Sequence, residues 1–246
     1  MKKEINILYE DEDILAINKP AGLVVHPDGR TKEYGVSHWM MENYPEAKEV
    51  GEPIELKDGE VIERPGIVHR IDRETSGVLL LAKTTKGFDV LKSQFQNREI
   101  HKTYMAFIYG NLKDDHGAIN LPIGRSAGDF RKWSASRGAR GEMREATTYF
   151  QVIKRADEVT LVEAKPKTGR THQIRVHFTA LQRPIVGDRL YAPTKPMLLG
   201  FGRLALHARE IEFKDTKGIV CRVNAPYPED FLNAFEVISF KPSDLP

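Results

Sequence analysis

Residues 66–83 read GIVHRIDRETSGVLLLAK and join a charged loop directly to an apolar run. The run at residues 78–82 is short, rich in Leu and Val, and preceded by glycine, which predicts a buried strand. The Thr-Ser-Gly triplet before it predicts a turn. Asp72 therefore lies where loop meets strand, between Arg70 and Arg73, whose positive charges favour an ionised carboxylate.

Asp72 supports two interpretations. An ionised carboxylate held in position can act as a nucleophile or stabilise a cation. An aspartate in a turn, however, commonly accepts hydrogen bonds from nearby backbone N–H groups. The spacing alone favours the structural role, so the choice depends on the rest of the chain.

Short apolar runs dominate the chain on both sides of this segment. Their length, β-branched content and flanking turn residues predict strands at residues 5–9, 14–17, 23–25, 78–82, 104–109, 147–153, 159–164, 203–213 and 219–223. Helical spacing is confined to residues 36–44, 88–95, 174–181 and 231–235. Because strands mostly follow one another without regular alternation with helices, we predict an α+β fold with a mixed, largely antiparallel sheet and flanking helices.

Two polar segments interrupt this pattern. Residues 48–64 are charged and lack periodicity, and residues 124–141 carry five basic residues against the single acid Asp129. Both are expected to be surface loops. Neither divides the strand pattern convincingly, so residues 1–246 are predicted to form a single domain.

Residues 164–178 read AKPKTGRTHQIRVHF and predict a strand, a turn and a short helix, with Thr171 as the helix N-cap. His172 and Arg175 are three residues apart and are expected to share a helix face. Basic residues without an acid among them, together with free helical N–H groups, suit a phosphate or carboxylate. The alternative is a solvated, basic helix start, but the absence of acidic residues favours an anion site. The basic residues are Lys165, Lys167, Arg170 and Arg175.

Tyr104 lies on the predicted strand that follows Lys102, on the same face as Ala106 and Ile108. A tyrosine on an inward strand face is usually a core residue whose hydroxyl is hydrogen-bonded. In a cleft its ring can stack on a base and its hydroxyl can take part in proton transfer. The sequence around Tyr104 alone favours the core role.

The net charge of +2 conceals an uneven distribution. Residues 1–65 carry 8 Lys/Arg and 15 Asp/Glu, whereas residues 66–246 carry 29 Lys/Arg and 20 Asp/Glu. A polyanion would therefore bind to the second part of the chain. The single cysteine, Cys221, excludes an internal disulfide and a cysteine-based zinc site, and the histidines lack metal-ligand spacing. No apolar run is long enough to span a membrane and no signal peptide is recognisable, so we expect a cytoplasmic protein without a metal.

In this order, the three segments resemble the RluA-type family of RNA pseudouridine synthases. The family signature H-R-[LI]-D-x-x-T-[ST]-G is complete at residues 69–77. Further similarity covers nearly the whole chain, from residue 7 to residue 213. It includes the segments 18–22, 25–27, 102–104, 169–177, 184–188 with Tyr191, and 206–208.

The resemblance implies an isomerase that detaches uracil from its ribose and reattaches it through C5, in a pseudouridine synthase fold with a central catalytic cleft. Asp72 would be the carboxylate directed at the sugar, Tyr104 would stack on the flipped base, and Arg175 would pair with Asp72. No metal or organic cofactor is implied. Arg70 would occupy the gap left by the extruded nucleotide. RNA-binding roles are expected for His69, Arg70, Arg73, Lys165, Lys167, Arg170 and His172.

The sequence also bears on the substrate. Many ribosomal members carry an S4-type RNA-binding module before the catalytic domain, whereas here only residues 1–4 precede the first predicted strand. We therefore expect no S4 module. We also expect a monomer and structured RNA as partner, with 23S rRNA favoured and tRNA as the second candidate. The alternatives are a non-catalytic RNA-binding or assembly protein of the same fold and a nucleosidase that uses Asp72 on free nucleosides.

Overall fold

The computed structural model describes residues 4–27, 33–55, 59, 61–135 and 139–244. The helices are α1 (Val36–Asn43), α2 (Thr85–Gln96), α3 (Gln173–Ala180) and α4 (Glu229–Val237). The strands are β1 (Asn6–Glu10), β2 (Ile14–Lys19), β3 (Ile54–Glu55), β4 (Val61–Ile62), β5 (Ser76–Ala82), β6 (His101–Tyr109), β7 (His116–Asn120), β8 (Ile123–Arg125), β9 (Trp133–Ser134), β10 (Arg140–Arg144), β11 (Thr147–Arg155), β12 (Val159–Pro166), β13 (Leu206–Lys214) and β14 (Val220–Asn224).

The chain divides into two compact units. Unit 1 comprises Met1–His101 and Ala208–Pro226, and unit 2 comprises Lys102–His207 and Tyr227–Pro246. The predicted α+β class with largely antiparallel strands is confirmed. Across the parts of the chain that the structure describes, none of the helices has the length and apolar character of a membrane span.

Unit 1 is built around β5, which is buried along its whole length. This burial on both faces is what its unbroken apolar run predicts. Strands β1, β2, β5 and β13 lie in that order, with β14 paired to β13. On α2, the Gln94 side chain donates to the carbonyl oxygen of Lys214 and accepts from the Lys214 N–H, each at 2.8 Å, which fixes this helix to β13.

Unit 2 contains the antiparallel order β6, β12, β11 and β7. Its core includes an aromatic cluster in which the ring of Phe107 on β6 lies 5.5–5.9 Å from those of Phe201, Phe231 and Phe235. Contacts of this kind add to the stability that burial of the rings already supplies. The cluster joins α4 to β6.

Several expectations from the sequence were wrong. Residues 48–64 are not only loop, because β3 and β4 pair there, with Ile54 opposite Ile62. Residues 124–141 contribute to a small three-stranded sheet in the order β10, β8, β9. Arg137 and residues 56–58 lie outside the described residues.

Two short strands were also misjudged. Residues 23–25 form no strand beyond an isolated bridge between Val24 and Gly35. Strand β7 was not predicted, because HGAIN carries a single buried residue, Ile119, and so has no apolar alternation to detect. Partner strands, rather than local pattern, determine these assignments.

Candidate functional site

Hydrogen bonds of the backbone fix the turn at Asp72. The Asp72 carbonyl oxygen accepts from the Thr75 N–H at 3.1 Å, which closes a four-residue turn directly before β5. The next carbonyl oxygen, that of Arg73, accepts from the Gly22 N–H at 2.8 Å. Asp72 thus lies on a turn held from two directions, within unit 1.

Lys19, at the end of β2, is fully buried and holds the same turn. Its amine donates to the carbonyl oxygens of Pro20 at 2.9 Å, Leu23 at 2.8 Å and Arg73 at 3.0 Å. These bonds satisfy a charge whose burial would otherwise be costly. The sequence similarity of residues 18–22 included Lys19 but assigned it no role.

His69 also serves the structure of this loop. Its Nε2 accepts the Leu80 N–H at 2.9 Å, and its ring stacks on Phe95 with centroids 4.5 Å apart. Because Nε2 is the acceptor, the neutral ring carries its proton on Nδ1. His69 is thereby tied to β5 and α2.

The two arginines beside Asp72 differ in their surroundings. Arg70 is exposed. Arg73 forms a two-pronged ion pair with Glu33, at 2.7 Å and 2.6 Å, on the surface of unit 1. The positive charge of Arg73 is therefore partly compensated within the protein.

In unit 2, Tyr104 lies on β6 opposite Ala164 of β12. Tyr104, Ala106 and Ile108 alternate along β6 as predicted, and residues 105–109 are buried on both faces of the strand. Tyr104 itself is half-buried. It marks the place where β6 leaves the core and one face becomes accessible to a ligand.

The segment before α3 is organised by Gln173, not by the predicted N-cap Thr171. Residue His172 occupies the cap position with a left-handed φ of 55°, a conformation that costs energy for a residue with a side chain. The side-chain Oε1 of Gln173 accepts from the Thr168 hydroxyl at 2.6 Å and from the Arg170 N–H at 3.0 Å. This side chain therefore ties the loop before α3 to the first residue of the helix.

The same glutamine reaches the neighbouring strand β11. Its amide nitrogen donates to the Thr147 carbonyl oxygen at 2.9 Å and to the Thr148 hydroxyl at 3.0 Å. Side-chain groups that are buried and fully bonded in this way specify one arrangement of the backbone. Gln173 therefore locks the start of α3 against β11.

Arg175, on α3, is nearly buried and forms an ion pair with Asp188. Its Nε and Nη2 donate to the two carboxylate oxygens of Asp188 at 2.8 Å and 2.9 Å. The guanidinium also lies 5.0 Å from the ring centre of Tyr191, within range of a cation–π interaction. Bidentate pairing fixes both the position and the plane of the guanidinium.

His172 meets the same tyrosine. Its Nδ1 is 2.9 Å from the Tyr191 hydroxyl oxygen, which also accepts the Trp133 N–H at 2.9 Å. His172 and Arg175 were predicted to lie close together, and both contact Tyr191. His172, however, precedes the helix. The similarity of the sequence included both Asp188 and Tyr191, but neither was assigned a role.

The basic residues of this segment have different surroundings. Lys165 is exposed and pairs with Glu163 at 2.6 Å. Lys167 is exposed, and Arg170 is partly exposed, with its Nε donating to the Glu145 carbonyl oxygen at 3.0 Å. Lys167 and Arg170 thus keep donor groups available at the surface of unit 2.

The predicted site residues fall in both units. Asp72, His69, Arg70 and Arg73 belong to unit 1, and the remaining members, including Tyr104 and Arg175, belong to unit 2. The expected pairing of Asp72 with Arg175 stays a prediction. Among the described residues, no group of three or more His, Cys, Asp or Glu side chains is arranged to hold a metal ion.

Comparison with known proteins identifies the family. The RNA pseudouridylate synthase family matches residues 13–180. Ribosomal large subunit pseudouridine synthase D of Xylella fastidiosa is 36% identical over 238 residues, covering 92% of this chain and 67% of the relative. Dual-specificity RNA pseudouridine synthase RluA of Vibrio cholerae is 39% identical over 212 residues, covering 85% and 77%.

A solved structure shares the fold. Human RNA Pseudouridylate Synthase Domain Containing 4 superposes with a TM-score of 0.72 at 24% identity, covering 96% of this chain and 93% of that one. The predicted pseudouridine synthase fold is confirmed. Together with the complete signature around Asp72, the matches show that the chain belongs to the RNA pseudouridylate synthase family, whose members are isomerases.

Proposed function

We propose that this isomerase converts specific uridines to pseudouridine in structured RNA, with 23S rRNA the favoured substrate and tRNA the alternative. The similarity to a ribosomal large subunit enzyme over 92% of the chain supports rRNA. The similarity to an enzyme named for dual specificity supports a second kind of RNA substrate. The observation that carries the proposal is the complete signature at residues 69–77, with Asp72 on a rigid turn.

Asp72 is proposed to act on the sugar of the flipped uridine. Breaking the bond between C1′ and N1 leaves electron-poor character on the ribose, and a fixed, ionised carboxylate is suited to attack or stabilise it. The turn held by Lys19 and Gly22 supplies this fixation without a metal or an organic cofactor. A preorganised charge requires little rearrangement during the reaction.

Tyr104 is proposed to stack on the extruded base and take part in proton transfer. Its position at the end of the buried part of β6 supports this role, because the backbone there is rigid while the ring is partly accessible. Arg175 is proposed to orient Asp72. The bidentate pair with Asp188 would hold the guanidinium ready for that task.

RNA is proposed to bind chiefly through phosphate contacts from exposed basic side chains. Arg70, Lys167 and Arg170 are the strongest candidates. For His69, Arg73, Lys165 and His172, contacts within the protein favour an additional positioning role. Extruding a nucleotide leaves a gap in the stacked RNA, and Arg70 is proposed to occupy it.

The small sheet formed by β8, β9 and β10 is a second proposed RNA-binding surface. Arg125 is exposed and lies 4.5 Å from the ring centre of Trp133, and its Nη1 donates to the Phe130 carbonyl oxygen at 3.2 Å. Its other guanidinium N–H groups can bind a phosphate. Further exposed arginines lie on the same sheet and on its connecting turn. They are Arg131, Arg140 and Arg144.

The decisive experiment for the proposed function is pseudouridine mapping in all RNAs of a strain that lacks this protein. Isomerisation leaves the mass of RNA unchanged, so the mapping requires a chemical label specific for pseudouridine. Loss of sites in 23S rRNA, restored by the wild-type gene but not by Asp72→Asn, is expected. Sites lost only in tRNA would select the alternative substrate, and unchanged RNA would contradict the proposal.

We further propose that residues 1–246 act as one catalytic domain, as a monomer, in the cytoplasm, where rRNA and tRNA are available. A monomer is sufficient because every residue assigned a role above belongs to one chain. Light scattering on the purified protein with and without RNA measures the state directly. A stable dimer in both conditions would contradict this assignment.

A further inference from the structure

Lys102 lies on β6 two residues before Tyr104. Side chains two apart on a strand project from the same face, about 7 Å apart along the chain. Both are partly exposed, whereas Thr103 between them is buried. Lys102 and Tyr104 therefore present neighbouring groups on one surface of unit 2.

The Lys102 amine reaches the loop that leads to α3. Its Nζ lies 3.5 Å from the Thr168 carbonyl oxygen, and a Cβ on Gly169 would stand 3.8 Å from it. This contact is at the outer limit of a hydrogen bond. It is the only hydrogen bond of the amine among the residues that the structure describes, so most of the donor capacity of an ammonium remains for a ligand.

The Lys102 amine is poorly hydrated. Desolvation lowers the pKa of Lys102 to about 8, and no charged neighbour contributes to the shift. The group is still mostly protonated at neutral pH, but its charge is poorly solvated. A cation in this state interacts strongly with an anion that enters its surroundings.

We propose that Lys102 stabilises the negative charge of the uracil after it leaves the sugar, by donating an N–H to a carbonyl oxygen of the base. The inference rests on the proposed function, because it takes Tyr104 as the residue that stacks on the flipped base. Without such a partner, the detached base would carry its charge in a partly dry site at high cost.

The C1′–N1 bond breaks and its electron pair goes to uracil, where the charge is shared by N1 and the two carbonyl oxygens. The C1′–C5 bond then forms, C5 loses its proton and N1 gains one. Lys102 begins and ends the cycle as an ammonium, so its contribution is electrostatic and it transfers no proton.

The test compares Lys102→Met with Lys102→Arg and a matched control, Lys154→Met, at an exposed position on β11. Single-turnover rates are measured on RNA containing uridine and on RNA containing 5-fluorouridine at the target position, following cleavage of the C1′–N1 bond. With uridine, Lys102→Met should reduce the rate by about 10²-fold, as expected for loss of one charge-stabilising donor. Lys102→Arg should retain more activity, and Lys154→Met should match the wild type.

The fluorinated substrate separates this role from a structural one. Fluorine withdraws electrons and stabilises the uracil anion, so the loss caused by Lys102→Met should be several-fold smaller with 5-fluorouridine. Equal losses on both substrates, or weaker RNA binding with an unchanged single-turnover rate, would overturn the inference. If Lys102→Met unfolds at the assay temperature, Lys102→Gln takes its place in the same comparison. An inactive wild type would instead reject the proposed function.

Discussion

Arg175 and Asp188 form a bidentate ion pair in which both side chains are almost fully buried. The Asp188 oxygen that accepts from Nη2 also accepts the backbone N–H groups of Leu190 and Tyr191, each at 3.0 Å. The carboxylate is thus anchored to its own turn before it meets the arginine. The orientation of the Arg175 guanidinium depends on a residue thirteen positions later in the chain.

Asp188→Asn should impair catalysis more than RNA binding. An asparagine can still accept the backbone N–H groups, but it cannot neutralise Arg175 or receive both of its hydrogen bonds. Removing one partner of a buried pair is also expected to cost about 3–5 kcal/mol of stability. We expect single-turnover rates to fall about 10-fold or more, while the dissociation constant for RNA, measured by filter binding, changes little.

The matched control is Asp230→Asn, which breaks the bidentate pair of Asp230 with Arg203 in the same unit. That pair contains no residue with a proposed role in the reaction. The control should lose stability in thermal melts but keep its single-turnover rate. If both variants lose activity in proportion to stability, Asp188 has no specific role in positioning Arg175.

Asp72→Asn should abolish pseudouridine formation while RNA binding is retained. The amide is close to the carboxylate in size but carries no charge, so it can neither attack nor stabilise the electron-poor sugar. The wild type should be active with EDTA present. Chemical labelling of pseudouridine in treated RNA measures conversion, and Asp89→Asn, at an exposed position on α2, is the control. Full activity of Asp72→Asn would refute the proposed mechanism.

The sequence predicted most of the regular elements because their buried runs are continuous or periodic. Strand β5 is the clearest case, since every one of its residues is buried. Prediction from the sequence failed where a short strand depends on its neighbouring strand, as at β3, β4 and β7. The segment 69–77 could be recognised because it matches every fixed position of the family signature.

Side-chain pairing between distant segments could not be predicted. Lys19 reaches Arg73, and Arg175 reaches Asp188, through tertiary contacts that leave no periodic signal. The cap at His172 illustrates the same limit. Local propensity favoured Thr171, but the bonds that Gln173 makes to β11 determine where α3 begins.

Arg70→Ala should reduce turnover more on stem-loop RNA than on unstructured single strands. Filling the gap left by an extruded nucleotide matters only where neighbouring bases are stacked. Single-turnover rates on a matched stem-loop and linear pair of RNAs test this expectation. Arg222→Ala, which removes an exposed arginine paired with Glu212, should leave both rates unchanged. Equal losses on the two RNAs for Arg70→Ala would remove its proposed gap-filling role.

His177 should make the protein less stable as the pH falls below about 6.5. Burial lowers its pKa from an ordinary value of 6.5. Its Nε2 is 3.0 Å from the Leu121 carbonyl oxygen and its Nδ1 is 2.9 Å from the Thr148 hydroxyl, so the neutral form with a proton on Nε2 fits both contacts. The unfolded chain binds the proton first, so acid favours unfolding until the pH falls below the pKa of folded His177.

Denaturant unfolding at several pH values measures this effect. His177→Gln can keep a donor toward Leu121 and an acceptor toward Thr148 but does not titrate, so the free energy of unfolding should vary less between pH 7 and 5. His116→Gln, at an exposed position on β7, should keep the wild-type slope. A slope unchanged by His177→Gln would exclude this histidine as the cause.

Gly77→Ala should destabilise unit 1 strongly. Gly77 has a φ of +110°, and a Cβ there would lie 2.2 Å from the Ala208 carbonyl oxygen, a distance that requires β5 or β13 to move. Gly218→Ala is the matched control, because its φ of +81° is also left-handed but no atom lies within 4 Å of the added carbon. The control should lose about 1–3 kcal/mol from backbone strain alone. If denaturant unfolding shows a larger loss of unfolding free energy for Gly77→Ala than for Gly218→Ala, the difference is due to the clash with Ala208. Equal losses would show that β5 and β13 can separate without cost.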